Sequence, residues 1–398
     1  MKNTVFLFFL FSCFCACKAP IFVEKKIVEF DTGFPINFNS YGTWYDKKAK
    51  KEYIYFGNTM TDSAIICFFT LDGQRQSEIA DIPLRTNKGI AGLVEIRSIF
   101  VYDIDTVVIL DKNYDYNQMV YLNRKGECFK RISFKDSIFI DTAKYVIMHS
   151  INQTSNKPFI YFRNYWNWTI LQDPSFAFKN ELEFYKMFYK KNYESPAVCK
   201  WNVQTNTYRF TAGNLIPKYF LPQRDTDFVF EAESLVLNEN LQSRYANKLF
   251  LWQRAGNRIL VLNPDNLQVE CSFDVTSNYS PIGIPPFPLA LRKQKLAENE
   301  RRDGSISNIL YDKNSNLYYI VTKHEIPEEN VAFYSEAPFS IHTYNAKFEK
   351  LNEQYFEGGK YNYWRIFLTS QGLFIAQSEN TNDYDPTKCR FYFYEIKK

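Results

Sequence analysis

Unbroken apolar runs recur along this chain, TVVIL at 106–110, KLFLW at 248–252, NLYYIV at 316–321 and GLFIA at 372–376, and they constrain its fold more than any other feature. A strand with one face in water alternates apolar and polar residues, whereas a strand apolar at consecutive positions is buried on both faces. Each run sits inside a larger unit: a short strand, a tight turn, the apolar strand, a connection, then a hairpin ending in a more polar strand. Units that repeat every 40 to 50 residues or so are the mark of propellers and related arrays, whose packed blades bury both faces of their inner strands. Aromatic residues make up 18% of the chain, with 29 Tyr and 37 Phe, and this composition favours strands.

Six units can be placed. The first runs from Tyr41 to Ile82, the second from Glu95 to Phe134, and the third starts at Tyr145 and continues through PFIYFRN and AVCKWNVQTNTYRFTA. The fourth holds DFVFEAESLVL, KLFLWQR, NRILVLNP and QVECSFDV; the fifth ISNILYDKNSNLYYIVTKHE, PFSIHTYN and FEKLNEQYF; the sixth WRIFLTSQGLFIAQSE and RFYFYEIKK. Asp72-Gly73 and Lys125-Gly126 separate strand-like runs where a hairpin needs residues tolerant of positive φ. The last unit is one strand short, and KKIVEFD near the start is a spare strand. Pairing Ile27 to Phe30 with the last unit would close a ring and remove exposed sheet edges. The expectation is an all-β, six-bladed β-propeller-like domain over residues 26–398.

The first seventeen residues, MKNTVFLFFLFSCFCAC, have the charged start, apolar run and small-residue end of an export signal. The apolar run is shorter than the roughly 20 residues a spanning helix needs. Cys17, preceded by Ala16, is the expected lipid attachment site, with Cys13 as the alternative. Residues 1–17 then form a lipoprotein signal peptide and 18–25 a polar tether. Several acyl chains would hold the domain at a membrane surface in the cell envelope.

Lys and Arg number 48 against 44 Asp and Glu, mixed along the chain, so no concentrated basic face points to nucleic acid. The body cysteines, Cys67, Cys128, Cys199, Cys271 and Cys389, stand far apart with no CxxC pair, and read as small buried hydrophobes rather than metal ligands or a disulfide framework. Of the histidines, His149, His324 and His342, none stands in HExxH, and no GxSxG, P-loop or GxGxxG occurs. No metal, cofactor or catalytic residue is assigned. Asp111, Asn113 and Asp115, and Asp312, Asn314 and Asn316, space oxygens as calcium loops do but lack the Gly and distal Glu, and read as turns.

Three insertions break the rhythm: residues 165–196, EIPEENVAFYSEA, and the Pro-rich 277–304, with helices expected over 180–191 and before Gly304. In a propeller they emerge on one face, the face where each second strand ends. The residues at those ends are Asn58, Lys112, Arg163, Arg254, His324 and Glu379. Lys112, Arg163, Arg254 and His324, with Trp166 and Trp168 from the first insertion, form the candidate binding face, suited to an anionic glycan or an envelope protein.

The leader cysteine, this rhythm and ILYDKNSNLYYIVTKHEIP together resemble a family of uncharacterised envelope lipoproteins of Gram-negative bacteria, the domain of unknown function 4221 family. The resemblance covers nearly the whole chain and implies a six-bladed propeller-like fold, an outer-membrane location and no assigned activity. It also implies an Arg after the YY pair; here Ile320 stands there, so no role is carried onto that position. The leading reading is a lipid-anchored binding protein. The alternatives are a propeller enzyme acting on glycans, with acids or His324 near the axis, and a structural component of an envelope complex.

Overall fold

A computed structural model describes residues 21–35, 41–58, 65–76, 81–83, 96–112, 117–133, 152–153, 159–163, 183, 198–202, 205, 207–210, 228–229, 235–237, 248–253, 256–283, 287–288, 304–326, 336–381 and 383–397. The first strand, β1 (Ile21–Asp31), is followed by β2 (Tyr41–Asp46), β3 (Lys51–Gly57), β4 (Ile65–Phe69) and β5 (Ile82–Pro83), which form sheet one. Sheet two holds β6 (Ile96–Asp103), β7 (Thr106–Lys112), β8 (Asn117–Leu122) and β9 (Cys128–Ser133). Sheet three holds β10 (Asn152–Gln153), β11 (Phe159–Arg163), β12 (Val198–Asn202) and β13 (Thr207–Phe210). After β14 (Phe228–Val229), sheet four holds β15 (Leu235–Leu237), β16 (Leu249–Gln253), β17 (Arg258–Leu262) and β18 (Val269–Asp274). After β19 (Phe287–Pro288), sheet five holds β20 (Ser305–Asp312), β21 (Leu317–Lys323), β22 (Phe339–Tyr344) and β23 (Lys350–Phe356). Sheet six is β24 (Tyr361–Leu368), β25 (Leu373–Gln377), β26 (Lys388–Lys397) and, as its outer strand, β1.

The fold is therefore all-β, and among the described residues five of the six four-stranded sheets are antiparallel meanders in chain order, while the sixth adds β1 to the meander β24–β26. The spare N-terminal strand lies where the strand count puts it, with Ile21 opposite Lys397 and Asp31 opposite Lys388. The strand includes residues 21–25, which the sequence reading assigned to a polar tether. Two differences from the sequence reading concern the fourth and third units. Phe228 and Val229 leave the fourth unit and pair with Pro288 and Phe287 in a separate ladder. The third sheet starts at Asn152, and Tyr145–Met148 lie outside the described residues.

The alternation of side chains explains the consecutive apolar runs. In sheet one Tyr53, Tyr55, Ile66 and Phe68 join a core with Ile99, Val107, Ile109 and Val120 of sheet two. Their neighbours Ile54, Phe56, Cys67 and Phe69 join another with Phe367, Phe374 and Phe391 of sheet six. Sheet five divides likewise: Tyr318 and Ile320 pack with Phe250, Trp252 and Val261 of sheet four, while Tyr319 and Val321 pack with Ile366, Leu373 and Ile375 of sheet six. Sheets four, five, six, one and two thus stack face to face in that order, and sheets five, six and one each pack both surfaces against a neighbour.

Gly73 and Gly126 adopt φ of 92° and 74° in the turns expected to need them. Asp312 closes its own turn, its Oδ1 accepting N–H groups from Asn314 at 2.9 Å and Ser315 at 3.4 Å. Cys67 is buried as expected, but Cys271 is exposed, because β18 is the outer strand of its sheet. No helical element occurs among the described residues; of 180–191 only Glu183 is described, with helical backbone, and the helix expected before Gly304 lies outside them.

Candidate functional site

His324 follows β21 directly. Its N–H donates to Pro338 O at 2.8 Å, which carries the β21–β22 ladder one step beyond the strand. In that ladder Thr322 pairs with Ser340 and Ile320 with His342, and across β22–β23 Ser340 pairs with Tyr355 and His342 with Glu353. Paired residues share a face, so Thr322, His324, Ser340, His342, Glu353 and Tyr355 fall together on one surface of sheet five. Lower on that surface, Tyr318, Ile320 and Tyr344 are packed against sheet four. Higher up, the polar residues are covered by the segment that leaves β18.

That covering segment is held by Glu353. Its carboxylate accepts hydrogen bonds from the Ser277 hydroxyl, the Asn278 N–H at 3.0 Å and Lys350 Nζ at 2.8 Å. Lys350 Nζ also donates to Thr276 O at 2.7 Å. Ser280 Oγ accepts the Glu325 N–H at 3.1 Å, which fastens the same segment to the residue after His324. Burial alone would push the Glu353 carboxyl up; the bonds from Lys350, Ser277 and Asn278 outweigh it and hold the carboxyl well below its ordinary value, so it is ionised. Burial drives His342 the other way, below its ordinary value against the pull of Glu353. His342 Nε2 shares a 2.8 Å hydrogen bond with Thr322 Oγ1, and its Nδ1 lies 3.9 Å from Glu353.

Fastened this way, Tyr279 lies over His324. Their rings are nearly parallel, 21° apart with centroids at 6.0 Å, and Tyr355 completes the group at 4.9 Å from Tyr279 and 5.4 Å from His324. His324 is 3% exposed, whereas Tyr279 and Tyr355 are 57% and 41% exposed. Burial lowers the His324 pKa, so the imidazole is neutral at pH 7. Two exposed tyrosine rings, tilted 38° to each other, thus stand against a neutral, buried imidazole and offer aromatic contact area.

Lys112 and Arg163 end β7 and β11, as the strand count requires, and their side chains lie outside the described structure; Arg254, Trp166 and Trp168 lie outside it as well. Asn58 and His324 directly follow β3 and β21, and Glu379 stands two residues past β25. Glu379 is engaged by Arg365 at 2.7 Å, a residue placed by the irregularity between Asn362 and Ile366 of β24. Sequence reasoning found His324 but missed Tyr279, Glu353 and Tyr355. Tyr279 lay within an insertion already singled out, while the other two needed the β22–β23 register.

No family model matches the sequence. Over 90 residues the chain is 29% identical to thiopurine S-methyltransferases of Vibrio cholerae serotype O1 strains, a match that covers 22% of this chain; the chain spans about two fifths of the length of these curated relatives, 41%. Among solved structures it is similar to a putative exported protein from Bacteroides fragilis, with a TM-score of 0.50 and 9% identity, covering 96% of each chain. A member of the domain of unknown function 4221 family from Bacteroides vulgatus matches with a TM-score of 0.64 and 19% identity over 96% of this chain and 99% of that one. With both chains covered nearly end to end, the chain has the fold of this member of the domain of unknown function 4221 family.

Proposed function

We propose that this protein is a lipid-anchored component of the cell envelope, at the outer membrane of a Gram-negative bacterium, whose six sheets close into a propeller and whose second-strand face binds a glycan. The observation that carries the binding reading is the Tyr279–His324–Tyr355 group, two exposed tyrosine rings against a buried imidazole, with the Tyr279 segment held by Glu353 and Ser280. Such rings offer contact area at little entropic cost and suit the flat face of a sugar. Lys112, Arg163 and Arg254 hold the equivalent positions in other sheets, with Trp166 and Trp168 just past β11, and favour an acidic glycan. Binding is favoured over catalysis because the acid nearest the imidazoles, Glu353, already serves three donors and has a side chain only 2% exposed. The ring is supported by β1 completing sheet six and by contacts of β2 with β6 and of β20 with β24, the first strands of successive sheets. The exported Bacteroides fragilis protein of like fold supports the location.

Two experiments test the reading. Palmitate labelling with intact-mass analysis should mark the wild type and Cys13→Ala but not Cys17→Ala; unlabelled wild type overturns the anchor. On an array of neutral and uronic-acid glycans, Tyr279→Ala and Tyr355→Ala should each weaken binding at least about tenfold, as central aromatic contacts do. Unchanged glycan binding in both overturns the assignment of the site.

A further inference from the structure

We propose that the β2–β3 hairpin is a membrane-docking element that lays the tethered end of the domain against anionic lipid headgroups; the proposal rests on the anchor reading above. The hairpin reads DKKAKKE, and Lys47, Lys48, Lys50 and Lys51 are all exposed. Among the described residues none of these four lysines is in an ion pair. The two flanking acids are occupied by backbone donors. Asp46 Oδ1 accepts the Lys48 and Ala49 N–H groups at 2.8 and 3.1 Å, and Glu52 Oε2 accepts the Ser370 N–H at 2.7 Å. Asp105, whose carboxyl feels Lys48, is matched by Arg124 in a two-pronged pair. The backbone donors on Asp46 and Glu52 are neutral and leave both carboxylates charged, so the turn carries four positive charges against two negative ones, a net excess of two.

The strand registers place that turn beside the tether. Leu373 pairs with Tyr394, Tyr394 with Glu24, and Lys397 with Ile21, so the β24–β25 turn, the end of β26 and the start of β1 share one end of sheet six. The bond from Ser370 to Glu52 joins the β2–β3 hairpin to that same end. Three strand spacings separate β1 from β24, about 14 Å. Only three residues separate Cys17 from Ile21, and the four Cα–Cα steps reach at most about 14 Å. A lipid on Cys17 thus brings the lysines to the bilayer, where attraction to anionic headgroups acts within a screening length of about 8 Å at physiological salt. The acids at this end of β1 are paired, Glu24 with Lys360 and Glu395 with Lys25, while Lys397 adds another exposed positive charge. Tyr45, 44% exposed, and Ile21, 51% exposed, add apolar contact at the interface.

The test reconstitutes the full lipidated chain in phosphatidylcholine vesicles with and without about 30% phosphatidylglycerol and reads lysine acetylation by mass spectrometry. Lys47, Lys48, Lys50 and Lys51 should react at least fivefold more slowly on the anionic vesicles, while Lys388, at the far end of β26, keeps one rate on both. Equal rates for the hairpin lysines on the two membranes overturn the proposal. Failure of the anchor reading is seen separately, as failure to float with phosphatidylcholine vesicles in about 1 M salt, where surface charge is screened. In that event the hairpin is judged by flotation with anionic vesicles at low salt. There, a variant with all four lysines changed to Gln should float at least tenfold less than wild type, and equal flotation of the two overturns it.

Discussion

Glu353→Ala is the substitution that most directly probes how the site is built. The carboxylate holds the segment after β18 onto sheet five through Ser277, Asn278 and Lys350, with a side chain 2% exposed. Hydrogen bonds to a charged group contribute roughly 1.5–3 kcal/mol each. Three would exceed the expected loss, but the Lys350 side chain is 25% exposed and keeps Thr276 O, so its ammonium rehydrates easily. The balance is a loss of about 3 kcal/mol, at the low end of the cost of breaking a buried charged pair. With a urea m-value of about 3 kcal/mol/M, the unfolding midpoint should fall by about 1 M. Glu353→Gln keeps an oxygen for the Asn278 N–H and should lose about half as much. The same variants separate clamp from ligand contact, because freeing residues 277–280 releases Tyr279 from His324: Glu353→Ala should weaken glycan binding as much as Tyr279→Ala does. A stability loss under about 0.5 kcal/mol, the scale of an ordinary surface substitution, would refute the reasoning.

Phe30 is fully buried among Phe56, Phe69, Phe374 and Phe391, with ring centroids at 5.2 to 6.3 Å, so Phe30→Ala should cost about 3–5 kcal/mol in urea unfolding; a surface-like effect would show that β1 does not seal sheets six and one. Acid should destabilise the protein in two stages. Burial depresses His342 from 6.5 to about 4, so between those values the unfolded chain binds more protons and stability falls as pH falls. Glu353, held at about 2 against an ordinary 4.5, extends the loss below pH 4.5. In His342→Gln, which keeps an acceptor for Thr322 and does not titrate, the upper stage should shrink by up to 1.4 kcal/mol per pH unit, and parallel stability–pH curves for the two proteins would refute the assignment.

The fold was legible where its physics is local. NLYYIV and GLFIA show burial on both faces because a strand sends successive side chains to opposite sides, and here each side meets another sheet. The spare KKIVEFD strand followed from an edge that had to be covered. The site was half legible. His324 came from its position at a strand end, which counting supplies. Glu353, Tyr355 and Tyr279 depend on which residue lies opposite which, and on a connection folding back over its neighbour. Neither leaves a trace in periodicity. The ladder of Phe228 and Val229 with Phe287 and Pro288 was invisible for the same reason, being a short pairing between segments distant in sequence.

The position of β1 also bears on how an exported chain would reach its folded state. Its partner β26 ends at Lys397, so the first described strand cannot be paired until the last has been made. Until then β26 keeps an open edge, and both Phe22, which packs on Tyr319 and Phe356, and Phe30 lack the surroundings that bury them. Contacts of such long sequence separation form late, because their closure entropy is met only once intervening sheets exist. A chain crossing a membrane leader-first gains from this order, since its N-terminal segment stays extended while the rest is delivered. Once paired, β1 is joined to β26 along its whole length, and Gln354 bonds both the N–H and the carbonyl of Phe22 at 2.9 Å. A pull from a lipid at Cys17 would run along the strand and load these bonds together rather than peel them in turn. On the anchoring proposed above, one strand both completes the last sheet and carries the tether, and neither role demands a separate element.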